Sequence, residues 1–177
     1  MAFELKPLSQ EVVGELKAEW MKQLDSLGDE VVYVEGSVER IVGWCEKSAE
    51  EGGADPALWA LTAEGSPVPR AVVEMTDARR SRDPSFKFLN IFMEPSLIMD
   101  YKEEVHKDEL LELIKITTFA LTEALRMVVD TGVKKLKIFG RTDEMKSVFD
   151  TLILSFNEVS QLDAYRQGKW LVIEAKG

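Results

Sequence analysis

The apolar positions of Phe86–Gly140 form the most regular pattern in the chain. Residues Phe86–Met93 are apolar on both alternations, which is typical of a strand buried on both faces, so this strand is predicted in mid-sheet. A loop closed by Pro95 follows. Apolar residues then recur at helical spacing over about Asp108–Thr131, and Val133–Phe139 has the pattern of a second strand. The stretch therefore predicts a β–loop–α–β unit around which the rest of the fold is organised.

The chain before this unit predicts a strand, two helices and one undecided apolar piece. Alternation indicates the strand, and apolar residues three and four positions apart indicate the helices. Serine is a favoured N-cap, so Ser9 and Ser37 are the predicted caps, and Gly28 ends the first helix. The predicted segments are a strand at Phe3–Leu8, a helix over Val12–Leu27, a strand or buried connector at Val31–Val34, and a helix from Ser37 to Glu50.

The remaining segments predict two strands before the unit, and a helix and two strands after it. A polar loop, Asp77–Pro84, separates the earlier strands from the unit. Gln167-Gly168 reads as a hairpin turn of two residues between the last two strands. The predicted segments are strands at Ala57–Ala63 and Arg70–Thr76, a helix over Thr142–Phe156, and strands at Val159–Arg166 and Lys169–Ala175.

The long helix is predicted to be packed on more than one side. Its broad apolar face is made of Leu110, Leu113, Ile114, Thr117, Leu121, Ala124, Leu125 and Val128, and Ile116, Ala120 and Met127 widen it. Asn90 is the polar exception on the central strand, where a buried amide is expected to bond to backbone. The predicted inward face of the last helix is Met145, Val148, Phe149, Leu152, Ile153 and Phe156.

Composition narrows the class of protein further. The chain has 177 residues, of which 45% are hydrophobic, and this predicts one domain over residues 1–177. A formal charge of −10 repels phosphate backbones, so nucleic acid is not expected as a partner. The N-terminus lacks a signal architecture and no apolar run is long enough to span a bilayer, so a cytoplasmic protein without membrane contact is expected.

Three candidate sites stand out by residue type. Cys45, the single cysteine, lies on an apolar helical stripe and is read as a core residue rather than a nucleophile. His106, the single histidine, is either a helix-start residue or a base; no metal-ligand spacing surrounds it, so no metal site is predicted. The cluster Arg79, Arg80 and Arg82 is either a solvated hairpin tip or a contact for phosphate or an acidic partner.

The order strand, two helices, three strands, helix, strand, helix, two strands resembles the GNAT superfamily of N-acyltransferases over essentially the whole chain. The local sequences that carry the resemblance are the central strand entering Met93-Glu94-Pro95, the turn Phe139-Gly140-Arg141-Thr142 and the helix end Leu154-Ser155-Phe156. The resemblance implies an α+β fold, an α/β sandwich whose mixed, mostly antiparallel central sheet is flanked by helices. It also implies acetyl-CoA as cofactor, bound where the central strand splays from the strand after the long helix.

The resemblance implies roles for particular residues. Backbone amides of Ile91, Phe92 and Met93 would bind the pantetheine, with Arg141 and Thr142 as further cofactor contacts. Glu74 or Glu94 would take the proton of the acceptor amine. Tyr165 or Tyr101 would supply the acid, because the tyrosine that the family carries in its last helix is Thr151 here. The acceptor would be an amine on a small molecule or a protein.

Two segments depart from the family pattern. The family binds the CoA pyrophosphate on a glycine-bearing loop before the long helix, where backbone N–H groups aim at the anion. Residues Glu94–Glu109 contain no glycine and six acidic residues. In the last helix, Ser155 and Glu144 stand where the family has glycine and asparagine.

Three hypotheses follow. The first is a divergent acetyltransferase. The second is a non-catalytic module that binds a partner through the Glu94–Lys107 loop or the arginine loop, since a fold does not guarantee activity. The third is a small-molecule sensor that uses the same cleft without chemistry. A homodimer is compatible with each of them.

Overall fold

The computed structural model describes residues 3–27, 35–51, 57–98, 106–140, 143–158 and 161–176. Its elements follow the order that the sequence predicts, which confirms the α+β class. In chain order they are β1 (Phe3–Pro7), α1 (Gln10–Ser26), α2 (Glu35–Glu50), β2 (Ala57–Ala63), β3 (Pro69–Asp77), β4 (Phe86–Met93), a single 3₁₀ turn (Pro95–Leu97), α3 (Lys107–Asp130), β5 (Lys135–Phe139), α4 (Asp143–Glu158), β6 (Leu162–Gln167) and β7 (Trp170–Ala175).

The seven strands are ordered β1-β2-β3-β4-β5-β7-β6. This order puts β4 fourth of seven, so the mid-sheet position predicted from its apolar alternation is confirmed. β1 with β2, β5 with β7, and β6 with β7 pair in antiparallel fashion. β4 and β5 are parallel, and α3 provides the crossover connection that a parallel pair requires.

The chain forms two compact units. The first unit consists of Met1–Glu74 and Ile91–Leu121, and the second of Met75–Asn90 and Thr122–Gly177. The single domain expected over residues 1–177 stays a prediction.

The core of the first unit is built by α1 and α2 against β2 and β3. The inward residues of α1 recur three and four positions apart, as the apolar pattern predicts, and they meet the inward stripe of α2. Its buried members are Val13, Leu16, Trp20, Leu24, Val38, Val42, Cys45, Leu58 and Val72. The Trp20 indole Nε1–H is satisfied in this core, because it donates to the Pro69 carbonyl at 3.0 Å.

The two predicted helix caps have different outcomes. The Ser9 hydroxyl accepts a hydrogen bond from the Val12 amide at 3.3 Å, which confirms Ser9 as the cap of α1. The prediction for Ser37 is wrong, because α2 begins at Glu35 and Ser37 lies inside its first turn. Serine is tolerated near a helix start as well as at the cap, so residue type alone does not fix the first residue. Gly28 and Val31–Val34 lie outside the described residues.

In the second unit α4 packs against β6 and β7, and β7 pairs with β5 on one side and with β6 on the other. Its buried apolar residues include Leu136, Ile138, Phe149, Leu171 and Ile173. The rings of Phe139 and Trp170 lie with their centroids 4.9 Å apart across the β5–β7 pair. β6 and β7 join through Gly168 and Lys169, one residue later than predicted, and Gly168 has a φ of +63°, which glycine adopts without strain.

The apolar faces predicted for the two later helices are partly wrong. Leu110 and Ile114 are 44% and 51% exposed, and Val148 is 50% exposed, although all three were predicted to face inward. The buried stripe of α3 is Ile116, Ala120, Ala124 and Val128, all of which belong to the predicted apolar arc. A helix that is apolar over so wide an arc leaves its rotation to be set by tertiary packing. The side chain of Met145 lies outside the described part of the chain.

Strand and helix ends agree with the prediction to within a few residues. β5 begins at Lys135 rather than Val133, and β6 begins at Leu162 rather than Val159, which lies outside the described residues. α4 ends at Glu158, two residues beyond the predicted end. In the part of the chain that the structure describes, no helix has the length and apolar character needed to cross a membrane.

A substitution at Gly140 tests the packing of the second unit. A Cβ at Gly140 would lie 2.7 Å from the Phe149 Cε2 atom, and Phe149 is 2% exposed, so its ring has no solvent to move into. We expect Gly140→Ala to lower the free energy of unfolding by about 1–3 kcal/mol, as overpacked core sites do. The urea midpoint measures this effect.

Gly43 provides the matched control. It lies inside α2, and an added Cβ would meet nothing within 4 Å. Gly43→Ala should therefore leave stability unchanged or raise it by up to about 1 kcal/mol, from helix propensity alone. Equal effects of the two substitutions would show that the contact with Phe149 is not the cause.

Candidate functional site

The carboxylate of Glu94 is the centre of a buried polar cluster at the end of β4. Glu94 is 4% exposed. Its Oε1 accepts a hydrogen bond from Arg70 Nε at 2.6 Å, and its Oε2 accepts one from Gln23 Nε2 at 3.3 Å. Its backbone N–H also donates to the Arg70 carbonyl at 3.0 Å. A buried carboxylate with these partners is a structural ion pair, held both by charge and by geometry.

Gln23 extends the cluster from β4 to α1. While its amide nitrogen donates to Glu94, its Oε1 accepts from the Ser96 backbone N–H at 3.2 Å. One side chain therefore uses both ends of its amide to hold the 3₁₀ turn that follows β4. The direction of the chain as it leaves β4 is thus fixed by a residue 71 positions earlier in the sequence.

Arg70 extends the cluster to α3. Its Nη1 lies 3.4 Å from Glu112 Oε1, and Lys115 lies 3.6 Å from the other oxygen of Glu112. The Arg70 and Glu94 side chains are 25% and 5% exposed, whereas that of Lys115 is 66% exposed. The network therefore changes from a partly buried pair, Arg70 on β3 with Glu94 just after β4, to a solvated pair on the surface of α3.

Glu74, the other predicted base, lies in the same strand as Arg70. It is 9% exposed on β3, and the alternation of the strand puts it on the same face as Arg70. Four residues of strand separate them, which is about 13 Å. The two predicted carboxylates therefore do not form a pair at one reacting centre.

The predicted pantetheine strand, Ile91–Met93, is half-buried. The ring of Phe92 meets Trp44 edge-on, with centroids 5.8 Å apart, so this side chain belongs to the core of the first unit. The parallel pairs of β4 with β5 are Phe86–Leu136, Lys87–Lys137 and Phe88–Ile138. β4 then runs five residues beyond the last of these pairs, and β5 runs one.

Of the other predicted site residues, the structure describes only Tyr165. Tyr165 lies on β6, at the end of the strand order, opposite Val172, and it is 38% exposed. Arg141 and Thr142 lie outside the described residues, as does Tyr101.

Cys45 and His106 have the structural positions that the simpler interpretations predict. Cys45 is fully buried in the first core, where desolvation raises the pKa of its thiol to about 12, and this confirms that it is a core residue. His106 is exposed and directly precedes α3; its backbone N–H donates to Glu109 Oε2 at 3.3 Å. Among the described residues, no group of three histidine, cysteine, aspartate or glutamate side chains is placed to hold a metal ion.

Arg70 and Gln23 are the members of the cluster that the sequence did not reveal. Arg70 was the first residue of a predicted strand, and Gln23 lay on the polar side of α1. Both act through contacts with residues 24 and 71 positions away. No periodicity or local motif contains that information. A glutamate directly after an apolar strand was the one available signal.

Loss of the Arg70 guanidinium should leave the Glu94 carboxylate buried without its cation. We expect Arg70→Met to lower the free energy of unfolding by about 2–3 kcal/mol, below the value for fully buried pairs because Arg70 keeps some solvent contact. The double variant Arg70→Met/Glu94→Gln should lose less free energy of unfolding than the two single variants lose together. The difference, which is the coupling energy, should be about 1–2 kcal/mol.

Lys17→Met is the matched control in the same unit. It removes a lysine that is 55% exposed and lies 2.7 Å from Glu46, so its effect should stay within about 0.5 kcal/mol. Additive effects of Arg70→Met and Glu94→Gln in denaturant titrations would contradict the ion-pair interpretation.

Comparisons with known proteins give similarities at the level of structure. No family model matches the sequence, and no curated protein matches it. The chain is similar to the PaiA N-acetyltransferase from Thermoplasma acidophilum in complex with coenzyme A, with 15% identity, 100% of both chains covered and a TM-score of 0.41. It is similar to an acetyltransferase from Thermus thermophilus, with 12% identity, 99% of this chain and 97% of that chain covered, and a TM-score of 0.43.

A further similarity is to an acetyltransferase of the GNAT family from Staphylococcus aureus. It has 8% identity, covers 98% of this chain and 99% of that chain, and has a TM-score of 0.43. The order of elements in this chain, with the parallel β4–β5 pair inside an otherwise antiparallel set of described pairs, is the order that the sequence resemblance implies.

Proposed function

We propose that this chain is a divergent acetyltransferase that transfers an acetyl group from acetyl-CoA to an amine. The observation that carries the proposal is the geometry of β4. This central strand pairs in parallel with β5 at its first three residues and then continues through Ile91–Met93 to Glu94. The sequence resemblance assigns pantetheine binding to the backbone of those residues, and the packing of Phe92 against Trp44 fixes the strand there.

The reaction requires a base for the acceptor amine and an acid for the departing thiolate. The amine nitrogen attacks the thioester carbonyl carbon, the carbon–sulfur bond breaks, and the sulfur leaves as the CoA thiolate. We propose Glu74 as the base, with Glu94 as the alternative that the sequence resemblance also implies. Tyr165 remains the proposed acid, and acetyl-CoA the proposed cofactor.

One observation favours a second candidate, a non-catalytic module of the same fold. The glutamate that enters the cofactor loop serves as a structural ion pair, and Glu94–Glu109 offers acidic side chains where the resemblance implies glycine and a pyrophosphate. A chain that kept the scaffold and lost the nucleotide would have this pattern.

Thermal unfolding with acetyl-CoA tests the proposal. At about 100 times its dissociation constant, a bound ligand adds roughly 2.7 kcal/mol to the free energy of unfolding, or roughly 5–10 °C in Tm for a chain of this size. ATP at the same concentration is the control for phosphate and adenine alone. The proposal requires a Tm shift with acetyl-CoA that ATP does not reproduce. An unchanged Tm at millimolar acetyl-CoA would favour the non-catalytic module.

Release of the CoA thiol with a panel of amines separates a transferase from a sensor. The buried Cys45 thiol contributes little background in the native protein, because burial raises its pKa to about 12. Glu74→Gln should keep the thermal shift with acetyl-CoA but lose most of the amine-dependent thiol release. Binding without release by the unaltered protein, across the whole panel, favours the sensor.

A further inference from the structure

The second unit contains a cationic surface that the acetyl-transfer proposal does not use. A shallow cavity of about 450 Å³ opens between the arginine loop Asp77–Pro84 and the segment Thr131–Lys135 that follows α3. Its lining includes the cationic residues Arg79, Lys134 and Lys135, with Asp83 between them. We call these two segments, extended to Lys137, the cationic surface.

This surface has the opposite charge from the rest of the chain. Its two segments, 77–84 and 131–137, contain six basic and two acidic side chains, in a chain whose formal charge is −10. The carbonyl end of α3 at Asp130 carries partial negative charge and favours nearby cations such as Lys134. That dipole does not account for Arg80 and Arg82, which lie in the loop.

Half of the six cations are already paired. Arg79 Nε lies 2.7 Å from Asp77 Oδ2, and Lys135 lies 3.4 Å from both Asp83 and Glu174. The largely buried Lys137 also bonds to Asp83. In the described part of the chain, the other three cations, Arg80, Arg82 and Lys134, have no carboxylate within ion-pair distance, and Arg80 interacts with Asp77 only at longer range.

The arginine loop is ordered by its own hydrogen bonds. The Ala78 amide donates to the Ser85 carbonyl and the Ser81 amide to the Ala78 carbonyl, both at 3.0 Å. The hydroxyls of Ser81 and Ser85 both donate to the Asp83 carbonyl. Ser85 is fully buried, so the base of the loop is fixed. A loop formed in advance presents its unpaired guanidinium groups at a lower entropic cost of binding.

We propose that the cationic surface docks a short acidic segment of a partner protein. Guanidinium groups form paired hydrogen bonds with carboxylates, and each of the three unpaired cations can bind one carboxylate of the partner. Small-molecule sites enclose most of their ligand, and this shallow cavity is too open to do so. A long polyphosphate would meet the acidic field of the rest of the chain, whereas a short segment contacts the cationic surface alone.

Asp83 acts within this surface as an internal competitor. Its hydrogen bond with Lys137 holds the pKa of its carboxyl below the ordinary value, with Lys135 adding to the effect, so it is an anion wherever a partner carboxylate is one. A carboxylate docked at this cavity lies near the Asp83 anion and is repelled by it. Asp83→Asn should therefore strengthen docking.

The probe is a fluorescein-labelled decapeptide of glutamate, titrated with the full chain and followed by fluorescence polarisation at low and at physiological salt. Arg80→Gln/Arg82→Gln should weaken binding by about three- to tenfold, since exposed charge pairs are individually weak, and the loss should shrink as salt rises. Both arginines are exposed, so circular dichroism should show an unchanged fold.

Lys17→Gln/Lys22→Gln is the matched control, because it removes two exposed cations from α1 in the other unit. Equal weakening by the control pair, or no weakening by the arginine pair, would overturn the proposal. An unchanged affinity of the Asp83→Asn variant for the peptide would overturn the proposal as well. A single-stranded DNA decamer that binds more tightly than the peptide would assign the surface to nucleic acid instead.

Discussion

The first unit depends on one buried ion pair, Arg70 with Glu94. A carboxylate that is 4% exposed is destabilising unless cations and hydrogen bonds replace its water, and Arg70 and Gln23 together do so. Through these contacts β3, the end of β4 and α1 meet at one point, and Glu112 adds α3. The apolar core determines that these elements pack together. The ion pair determines where the chain turns as it leaves the central strand.

This constraint separates the scaffold from the chemistry. The order of elements, the central position of β4 and its parallel pairing with β5 are those of a fold that the sequence resemblance connects with acetyl-CoA. Glu94 stands at the entrance to the loop that would meet the cofactor, and its carboxylate is bound within the protein. The proposed base stays Glu74, with Glu94 as the alternative, and the proposed cofactor contact is backbone rather than side chain.

Local patterns were sufficient to predict the elements, because burial leaves a periodic trace in the sequence. β4 is apolar on both alternations and lies in mid-sheet, and Cys45 lies on an apolar stripe and is buried. The rotation of α3 was not predictable in this way, because its apolar arc is wider than the stripe that the fold buries, and Leu110 and Ile114 remain exposed. The partners of Glu94 were not predictable either, since they lie far away in sequence and belong to elements whose relative placement no local pattern encodes.

Amide hydrogen exchange in Arg70→Met tests most directly whether the ion pair holds the end of β4. In the unaltered chain the amides of Glu94, Ser96 and Leu97 donate to Arg70, Gln23 and Glu94 in turn. The account predicts that all three exchange faster in the variant, while the Leu8 amide, which donates to Leu58, keeps its protection. Unchanged protection at Glu94, Ser96 and Leu97 would contradict it.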